Sequence, residues 1–171
     1  MSNPENLLVT TPTDREIVVT RVFDAPRGLV YDAFTQPELM KRWLSGPHGW
    51  SMNVCEIDLR AGGAFRHVWR GPEGRQMSMH GIHREVIPLE RIVRTEIFDF
   101  GCNPSAEQLG TLALTEHAGK TTITVTVLCP SKEARDGALA SGMARGMGAG
   151  YDRLEAVLGA EQVGPGVAGQ S

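Results

Sequence analysis

The chain has few of the residues that mark specialised protein classes. Only three of its 171 residues are cysteines, Cys55, Cys102 and Cys129, and they lie far apart. An odd number of widely spaced cysteines, with no Cys-x-x-Cys pair, argues against a disulfide scaffold and against a cysteine-based metal site. We therefore expect reduced thiols in a cytoplasmic protein.

The chain also has no strong excess of positive or negative charge and no long apolar run. The 17 basic and 20 acidic residues give a formal net charge of −3, so no electrostatic footprint for nucleic acid is present. No apolar run approaches the roughly 20 residues that a membrane-spanning helix needs. The polar N-terminus lacks a basic segment followed by an apolar one, so no secretion signal is expected. These features predict no nucleic-acid partner and no membrane span.

What remains is the composition of an ordinary globular domain, 41% hydrophobic and 22% charged. Residues 1–14 are polar and contain two prolines, which predicts a flexible arm. Residues 160–171 are rich in glycine and poor in large apolar groups, which predicts a flexible tail. Residues 15–159 are expected to form a single domain.

The order of elements predicts an α+β fold. A β-branched run at 16–23 predicts a strand, and Asp24 followed by Pro26 predicts a helix start in which Asp24 accepts from free backbone amides. A second short helix is expected at 38–44. Short glycine and proline turns then separate six predicted strands, which implies antiparallel hairpins. These strands are expected at 51–59, 64–70, 76–87, 91–100, 109–117 and 120–128.

A long C-terminal helix completes the β-α-α-β6-α order. Ser131 is a good N-cap, and apolar residues recur at helical spacing from Leu139 to Leu158. We expect a curved antiparallel sheet wrapped around this helix. A helix that does not fill the concave side of such a sheet leaves a pocket.

The predicted long helix is unusually rich in glycine, and each interior glycine costs roughly 1 kcal/mol against alanine. Two interpretations stay open. Gly142, Gly146 and Ala149 share a face, so they could allow close contact with a neighbouring backbone, or simply weaken the helix. Alternatively, the missing side chains could leave cavity volume. The flexible side chains of Met143 and Met147 would then line this volume and adapt to its shape.

Several segments resemble the bacterial homologues of the activator of the heat-shock-protein-90 ATPase, within the SRPBCC superfamily (START, polyketide cyclase and birch-pollen allergen). They occur in the expected order over about residues 15–159. The segments are FDAP at 23–26, VYDAF at 30–34, KRWL at 41–44, DLRAGGAF at 58–65, GIHREVIPLERIV at 81–93 and GYDRL at 150–154. The resemblance implies a helix-grip (START-like) fold with a deep, mainly apolar cavity. Because members include lipid carriers, cyclases and ring-hydroxylase subunits, it implies no single activity.

Strand alternation predicts which side chains line the cavity. Phe65, His67 and Trp69 share one face of strand 64–70, and we expect this aromatic face to point inward. In 76–87 we favour the face with His80 and Ile82 over the face with Met79, Gly81 and His83. In 91–100 we favour the face with Phe98 and Phe100, which would make Arg94 or Glu96 an inward polar group that needs a partner or a ligand. The predicted cavity-lining residues are Trp43, Trp50, Phe65, His67, Trp69, His80, Ile82, Phe98, Met143, Met147 and Tyr151.

Two pairs of these residues, His67 with His80 and Trp43 with Trp50, have alternative interpretations. His67 and His80 could orient a polar ligand group or move a proton, or could be ordinary histidines. A metal site with His83 is poorly supported, because His83 has the opposite parity to His80. Trp43 and Trp50 flank a Gly-Pro loop that could form a mobile lip at the cavity mouth, or both indoles could be core residues.

The sequence therefore predicts three functions in order of preference. The first is non-catalytic binding of a hydrophobic or amphipathic small molecule. The second is a cavity enzyme, cyclase- or hydrolase-like, although no catalytic signature or phosphate loop is present and catalytic residues stay unknown. The third is a chaperone-associated or stress-response interaction module. No cofactor or metal is expected, and a homodimer is compatible with all three.

Overall fold

The computed structural model describes residues 7–101 and 105–163. Within them eight strands and four helices follow the predicted order, with one additional strand at the start and with two helices in place of the single C-terminal helix. The elements are β1 (Leu7–Thr10), β2 (Glu16–Phe23), α1 (Arg27–Thr35), α2 (Pro37–Trp43), β3 (Ser51–Ile57), β4 (Ala64–Arg70), β5 (Gln76–Ile87), β6 (Arg91–Asp99), β7 (Gln108–His117), β8 (Lys120–Leu128), α3 (Lys132–Ala140) and α4 (Met143–Val163). The predicted α+β class is confirmed, and all six strands expected after Trp50 are present.

All eight strands form one antiparallel sheet in the order β1-β2-β8-β7-β6-β5-β4-β3. Register shifts interrupt the ladder between Met52 and Val54 in β3 and between His83 and Glu85 in β5. Bulges of this kind bend a strand and increase its twist, which gives the sheet its concave side. We call this side, which faces α4, the inner face.

A glycine turn between β3 and β4 fixes one end of the inner face. An added Cβ at Gly63 would lie 2.1 Å from the carbonyl oxygen of Asp58, and Gly62 has a φ of +86°. Glycine is the residue that tolerates both conditions. The turn is bonded to β5, because the Gly62 N–H donates to the His83 carbonyl and the His83 N–H donates to the Gly63 carbonyl, each at 2.8 Å. The turn therefore holds His83 in place.

The two helix starts that the sequence predicts have different outcomes. Ser131 caps α3 as predicted, since its Oγ accepts from the Ala134 N–H at 3.0 Å. The expectation for Asp24 is wrong, because α1 begins after Pro26 with no side-chain cap from its own segment. Instead the Glu116 carboxylate, from the end of β7, accepts from the Arg27 N–H at 2.6 Å. Tertiary contact has replaced the local cap.

The single long helix predicted from Ser131 to Leu158 is wrong, because the chain forms two helices there. The break lies at Ser141 and Gly142, and Gly142 has a φ of +85°, a left-handed conformation that ends a helix. The stripe from Met143 to Leu158 is therefore on α4, whereas Leu139 is on α3.

The predicted arm and tail are partly structured. Residues 7–10, expected in a loose arm, form β1 and pair with residues 18–21 of β2. At the other end α4 continues to Val163, beyond the expected start of the tail at residue 160. The rest of both predictions, residues 1–6 and 164–171, lies outside the described residues.

Candidate ligand-binding site

Two separate clusters of buried apolar side chains lie on the inner face. The first cluster joins β2, β6, β7, β8, α1, α2 and α4. Its buried members are Ile17, Val19, Phe23, Ala25, Val30, Tyr31, Ala33, Trp43, Ile92, Leu114, Ile123, Val127, Cys129, Tyr151, Leu154, Val157 and Leu158. The second cluster, Met52, Phe65, Trp69 and Met79, belongs to β3, β4 and β5. The buried apolar side chains therefore form two separate clusters instead of one continuous core.

A set of polar side chains lies on the inner face of β6 and β7. Arg94 Nε donates to Glu96 Oε2 at 3.0 Å, and Gln108 Nε2 donates to Glu96 Oε1 at 3.0 Å. We call Arg94, Glu96 and Gln108 the inner polar cluster. Gly110 makes room for it, because an added Cβ there would lie 2.7 Å from Glu96 Oε2. The sequence raised Arg94 and Glu96 as inward polar groups in need of a partner, and they are partners of each other.

Phe65 links the inner polar cluster to the second apolar cluster. The Arg94 guanidinium lies 3.9 Å from the centre of the Phe65 ring, a cation–π arrangement. The side chains of Arg94 and Glu96 keep 21% and 12% of their surface exposed. In the described part of the chain, Arg94 makes its one side-chain hydrogen bond through Nε. Its terminal N–H groups are therefore available to a ligand.

His67 is fully buried beside this cluster. Its ring lies 5.2 Å from Phe65 and 5.8 Å from Trp69, centre to centre. Neither ring nitrogen has a hydrogen-bond partner among residues 7–101 and 105–163. Burial, assisted by the nearby Arg94 charge, lowers the pKa of His67 to about 3. The neutral imidazole therefore offers one unpaired donor and one unpaired acceptor.

The predicted pair of His67 and His80 is not formed, because His80 and Ile82 are exposed on the outer face. Paired residues of neighbouring strands share a face, and His67 pairs with Met79 whereas Phe65 pairs with Gly81. The favoured face of 76–87 is therefore wrong. Strand alternation could not show this, because the inner position beneath Phe65 is a glycine while the outer face carries an isoleucine.

His83 takes the inward position that we had assigned to His80. It is buried, and its Nδ1 lies 3.1 Å from the Gly63 carbonyl oxygen. Burial lowers the pKa of His83, although the Gly63 carbonyl opposes the shift. His83 and His67 both contact Phe65. No carboxylate accepts a hydrogen bond from either ring within the described residues, so no acid–base pair is assembled there.

Trp43 and Tyr151, two of the predicted cavity residues, pack in the first cluster. Trp43 Nε1 donates to the Ala33 carbonyl at 2.8 Å, which supports its interpretation as a core residue. Tyr151 lies edge-on to Phe23 at 5.9 Å. Burial, and then the Glu96 carboxylate, raises the pKa of Tyr151 above its usual range. Glu96 shares a face of β6 with Ile92, a buried member of the first cluster, so it lies on the α4 side of the sheet.

Trp50 is half-buried against the second cluster, at the end of the loop after α2. An added Cβ at Gly71 would lie 2.2 Å from the Trp50 ring, so the indole packs directly on that backbone. The Arg75 guanidinium covers the ring at 5.6 Å. Trp69 is held by a hydrogen bond from its Nε1 to the Leu44 carbonyl at 2.8 Å. Trp50 thus lies between the second cluster and the surface.

The other predicted lining residues lie at the edges of the two clusters. Phe98 packs against the second cluster and is partly buried. Its neighbour Phe100, expected to point inward as well, is 60% exposed. Met143 and Met147 are partly buried against the first cluster. Near them, an added Cβ at Gly142 or Gly146 would meet nothing within 4 Å, so close helix–backbone contact does not explain these two glycines.

A buried ion pair that sequence reasoning missed ties α4 to the sheet. The fully buried Arg21 of β2 donates to Asp152 at 2.9 Å and to Glu155 at 3.3 Å, both on α4. The sequence contained the signal, because Arg21 lies on the same face of β2 as the buried Ile17, Val19 and Phe23. An inward arginine of this kind demands acidic partners.

Neither a metal site nor a membrane-spanning helix appears in the part of the chain that the structure describes. Among residues 7–101 and 105–163, no group of three or more His, Cys, Asp or Glu side chains could hold a metal ion. None of the described helices combines the length and hydrophobicity required to cross a bilayer.

An antiparallel sheet that curves around a C-terminal helix is the helix-grip fold, and this chain has it. Residues 24–159 match the family described as Activator of Hsp90 ATPase homolog 1-like protein, so the chain belongs to that family. The resemblance seen in the sequence is confirmed. No curated protein matches the chain.

Solved structures of bacterial proteins share the architecture over nearly their whole length. A protein from Rhodobacter sphaeroides is 32% identical, with a TM-score of 0.83 over 90% of this chain and 98% of its own. A protein from Nitrosomonas europaea is 26% identical, with a TM-score of 0.79 over 90% of this chain and 100% of its own. A protein from Staphylococcus epidermidis is 25% identical, with a TM-score of 0.76 over 90% and 94%. The family suggests a ligand-binding domain, and neither its description nor those of these relatives names a ligand.

Proposed function

We propose that this protein binds a hydrophobic or amphipathic small molecule between the inner face of the sheet and α4. The observation that carries the proposal is the divided interior. Between two apolar clusters lie Arg94 and Glu96, which are partly exposed, and His67, whose two ring nitrogens have no partner among the described residues. Buried polar atoms without partners are costly, and a ligand would satisfy them.

The α4 side of the proposed site supports adaptable binding. Met143 and Met147 are partly buried, and methionine fills irregular apolar space at little cost in strain. Trp50 lies near the surface at the other end and is a candidate for the mouth of the site. Of the predicted lining residues we retain Trp50, Phe65, His67, Trp69, Phe98, Met143 and Met147 for the proposed site, whereas Trp43 and Tyr151 pack in the first cluster.

The two other functions have weaker support. A cavity enzyme needs a proton-transferring pair, and His67 makes no hydrogen bond to a carboxylate within the described residues. An interaction with a chaperone is suggested by the family description alone, and a pull-down with the host's Hsp90 would test it. The free thiols of Cys55 and Cys129 are compatible with the predicted cytoplasmic location. A homodimer stays a prediction.

Titration with Nile red, an uncharged apolar dye, tests the proposal. We expect saturable 1:1 binding that Met147→Trp weakens by about tenfold or more, because the larger ring would fill space beneath α4. Ala156→Trp is the matched control, since Ala156 is exposed on the same helix, and it should bind as the unmodified chain does. Absence of saturable binding, or equal loss in both variants, would overturn the proposal.

A further inference from the structure

The inner polar cluster carries both signs of charge in equal amount. Arg94 and Glu96 are paired at 3.0 Å and face the same space as His67 and His83. Gln108 adds an uncharged amide that donates to Glu96. Two further titratable side chains lie next to these groups: Cys55, which pairs with His67 across β3 and β4, and Tyr151 of α4. Charged groups beyond them are Asp58 near His83, Lys41 near Cys55, and Arg21 near Tyr151; Arg21 is paired with Asp152 and Glu155.

The four titratable neighbours, His67, His83, Cys55 and Tyr151, are uncharged near neutral pH. Burial lowers the pKa of both histidines and raises the pKa of Cys55 and of Tyr151. The inner polar cluster itself therefore has a net charge of zero, one guanidinium and one carboxylate, and the titratable groups named beside it are neutral. A charged ligand group placed there would add an uncompensated charge to a partly desolvated region, which is expensive.

We propose that the inner polar cluster together with His67 selects a ligand whose buried polar group is uncharged and both donates and accepts hydrogen bonds, such as an alcohol or a primary amide. The terminal N–H groups of Arg94 would donate to the ligand oxygen, and Glu96 or a nitrogen of His67 would accept its proton. A ligand carboxylate would be attracted by Arg94 but repelled by Glu96. A ligand ammonium group would be attracted by Glu96 but repelled by Arg94. This inference rests on the proposed function and names the class of ligand for it.

Three ligands of equal chain length test this selection: decan-1-ol, decanoate and decylamine, titrated at pH 7.5 and followed by native mass spectrometry and two-dimensional NMR. We expect decan-1-ol to bind about tenfold or more tightly than either ion. Equal binding of all three, or tighter binding of an ion, would overturn the inference while leaving the proposed function intact. Binding of none of them, together with no binding of Nile red, would overturn both.

Charge variants sharpen the test. Glu96→Gln keeps the shape of the side chain and leaves Arg94 unbalanced, so the preference should turn to decanoate. Glu56→Gln is the matched control, because Glu56 is 70% exposed in its side chain on β3, and its preference should stay with the alcohol. Arg94→Gln should turn the preference toward decylamine, and it carries the test if Glu96→Gln does not fold. Unchanged preference in a folded Glu96→Gln or Arg94→Gln variant would overturn the inference.

Discussion

The two apolar clusters beneath the sheet differ in how completely they are closed. The first contains seventeen buried residues and is covered by α1, α2 and α4, whereas the second contains four and is flanked by half-buried side chains such as Trp50 and Phe98. Burial of apolar surface is the main source of stability, so the first cluster contributes most to holding the fold together. Under the proposed function, the smaller cluster borders the ligand. Binding regions are generally drawn from the less stable parts of a fold.

The largest expected effect is truncation of a side chain in the first cluster. Leu154 of α4 is completely buried, so Leu154→Ala should lower the free energy of unfolding by about 4 kcal/mol. The matched change in the second cluster, Met79→Ala, should cost about 2 kcal/mol, because the loosely packed surroundings can relax. Urea denaturation measures both. Equal losses would mean that the two clusters are equally closed.

The second prediction concerns the attachment of α4 to the sheet. Arg21→Met should lower the free energy of unfolding by about 3 kcal/mol, because it leaves Asp152 without its buried partner. Arg42→Met is the control, since Arg42 pairs with Glu161 on the exposed side of α4. An exposed pair contributes little, so the control should change stability by less than about 1 kcal/mol. A similar cost for both would show that Arg21 is not a specific clamp.

The order of elements was readable from the sequence because it depends on local signals. Turn residues such as Gly62 and Gly63 and the alternation in β8 are local, and they predicted the strands closely. Ser131 capped its helix for the same reason. The break at Gly142 was missed because a helical stripe continues across it, although a glycine in the left-handed conformation ends the helix.

The candidate site was less predictable because it depends on which face of each strand turns inward. Alternation groups His80 with Ile82 but does not say where the group points, and the strand pairing put Met79 and His83 inside instead. The cap on Arg27 comes from Glu116, which is 89 residues away. Contacts between residues so far apart in the sequence cannot be predicted from local sequence patterns.

Lowering the pH should lower the free energy of unfolding through His67, which lies beside the second cluster. The pKa of His67 in the folded chain is about 3, below its ordinary value of roughly 6.5. The unfolded chain therefore takes up a proton between these values while the folded chain does not, and stability falls as the pH drops through that window. Between pH 8 and pH 5 this group should cost about 2 kcal/mol.

The variant His67→Phe isolates this contribution. It keeps a ring beside Phe65 but removes the titrating group, so the stability lost between pH 8 and pH 5 should shrink by about 2 kcal/mol. His83, whose pKa is also lowered by burial, acts in the same direction and accounts for part of the remainder. An unchanged profile in His67→Phe would show that His67 is not held neutral inside the fold.

The smallest expected effect concerns the two glycines at the start of α4, Gly142 and Gly146, and their contribution to the free energy of unfolding. An added Cβ at Gly146 would meet nothing within 4 Å, so Gly146→Ala should raise the free energy of unfolding by about 1 kcal/mol through helix propensity alone. Gly142→Ala should instead lower it by about 1 kcal/mol, because Gly142 holds a φ of +85° that alanine adopts with strain. Urea denaturation separates the two signs. If Gly146→Ala brought no gain, another cost at this exposed position would have to offset the helix propensity of alanine.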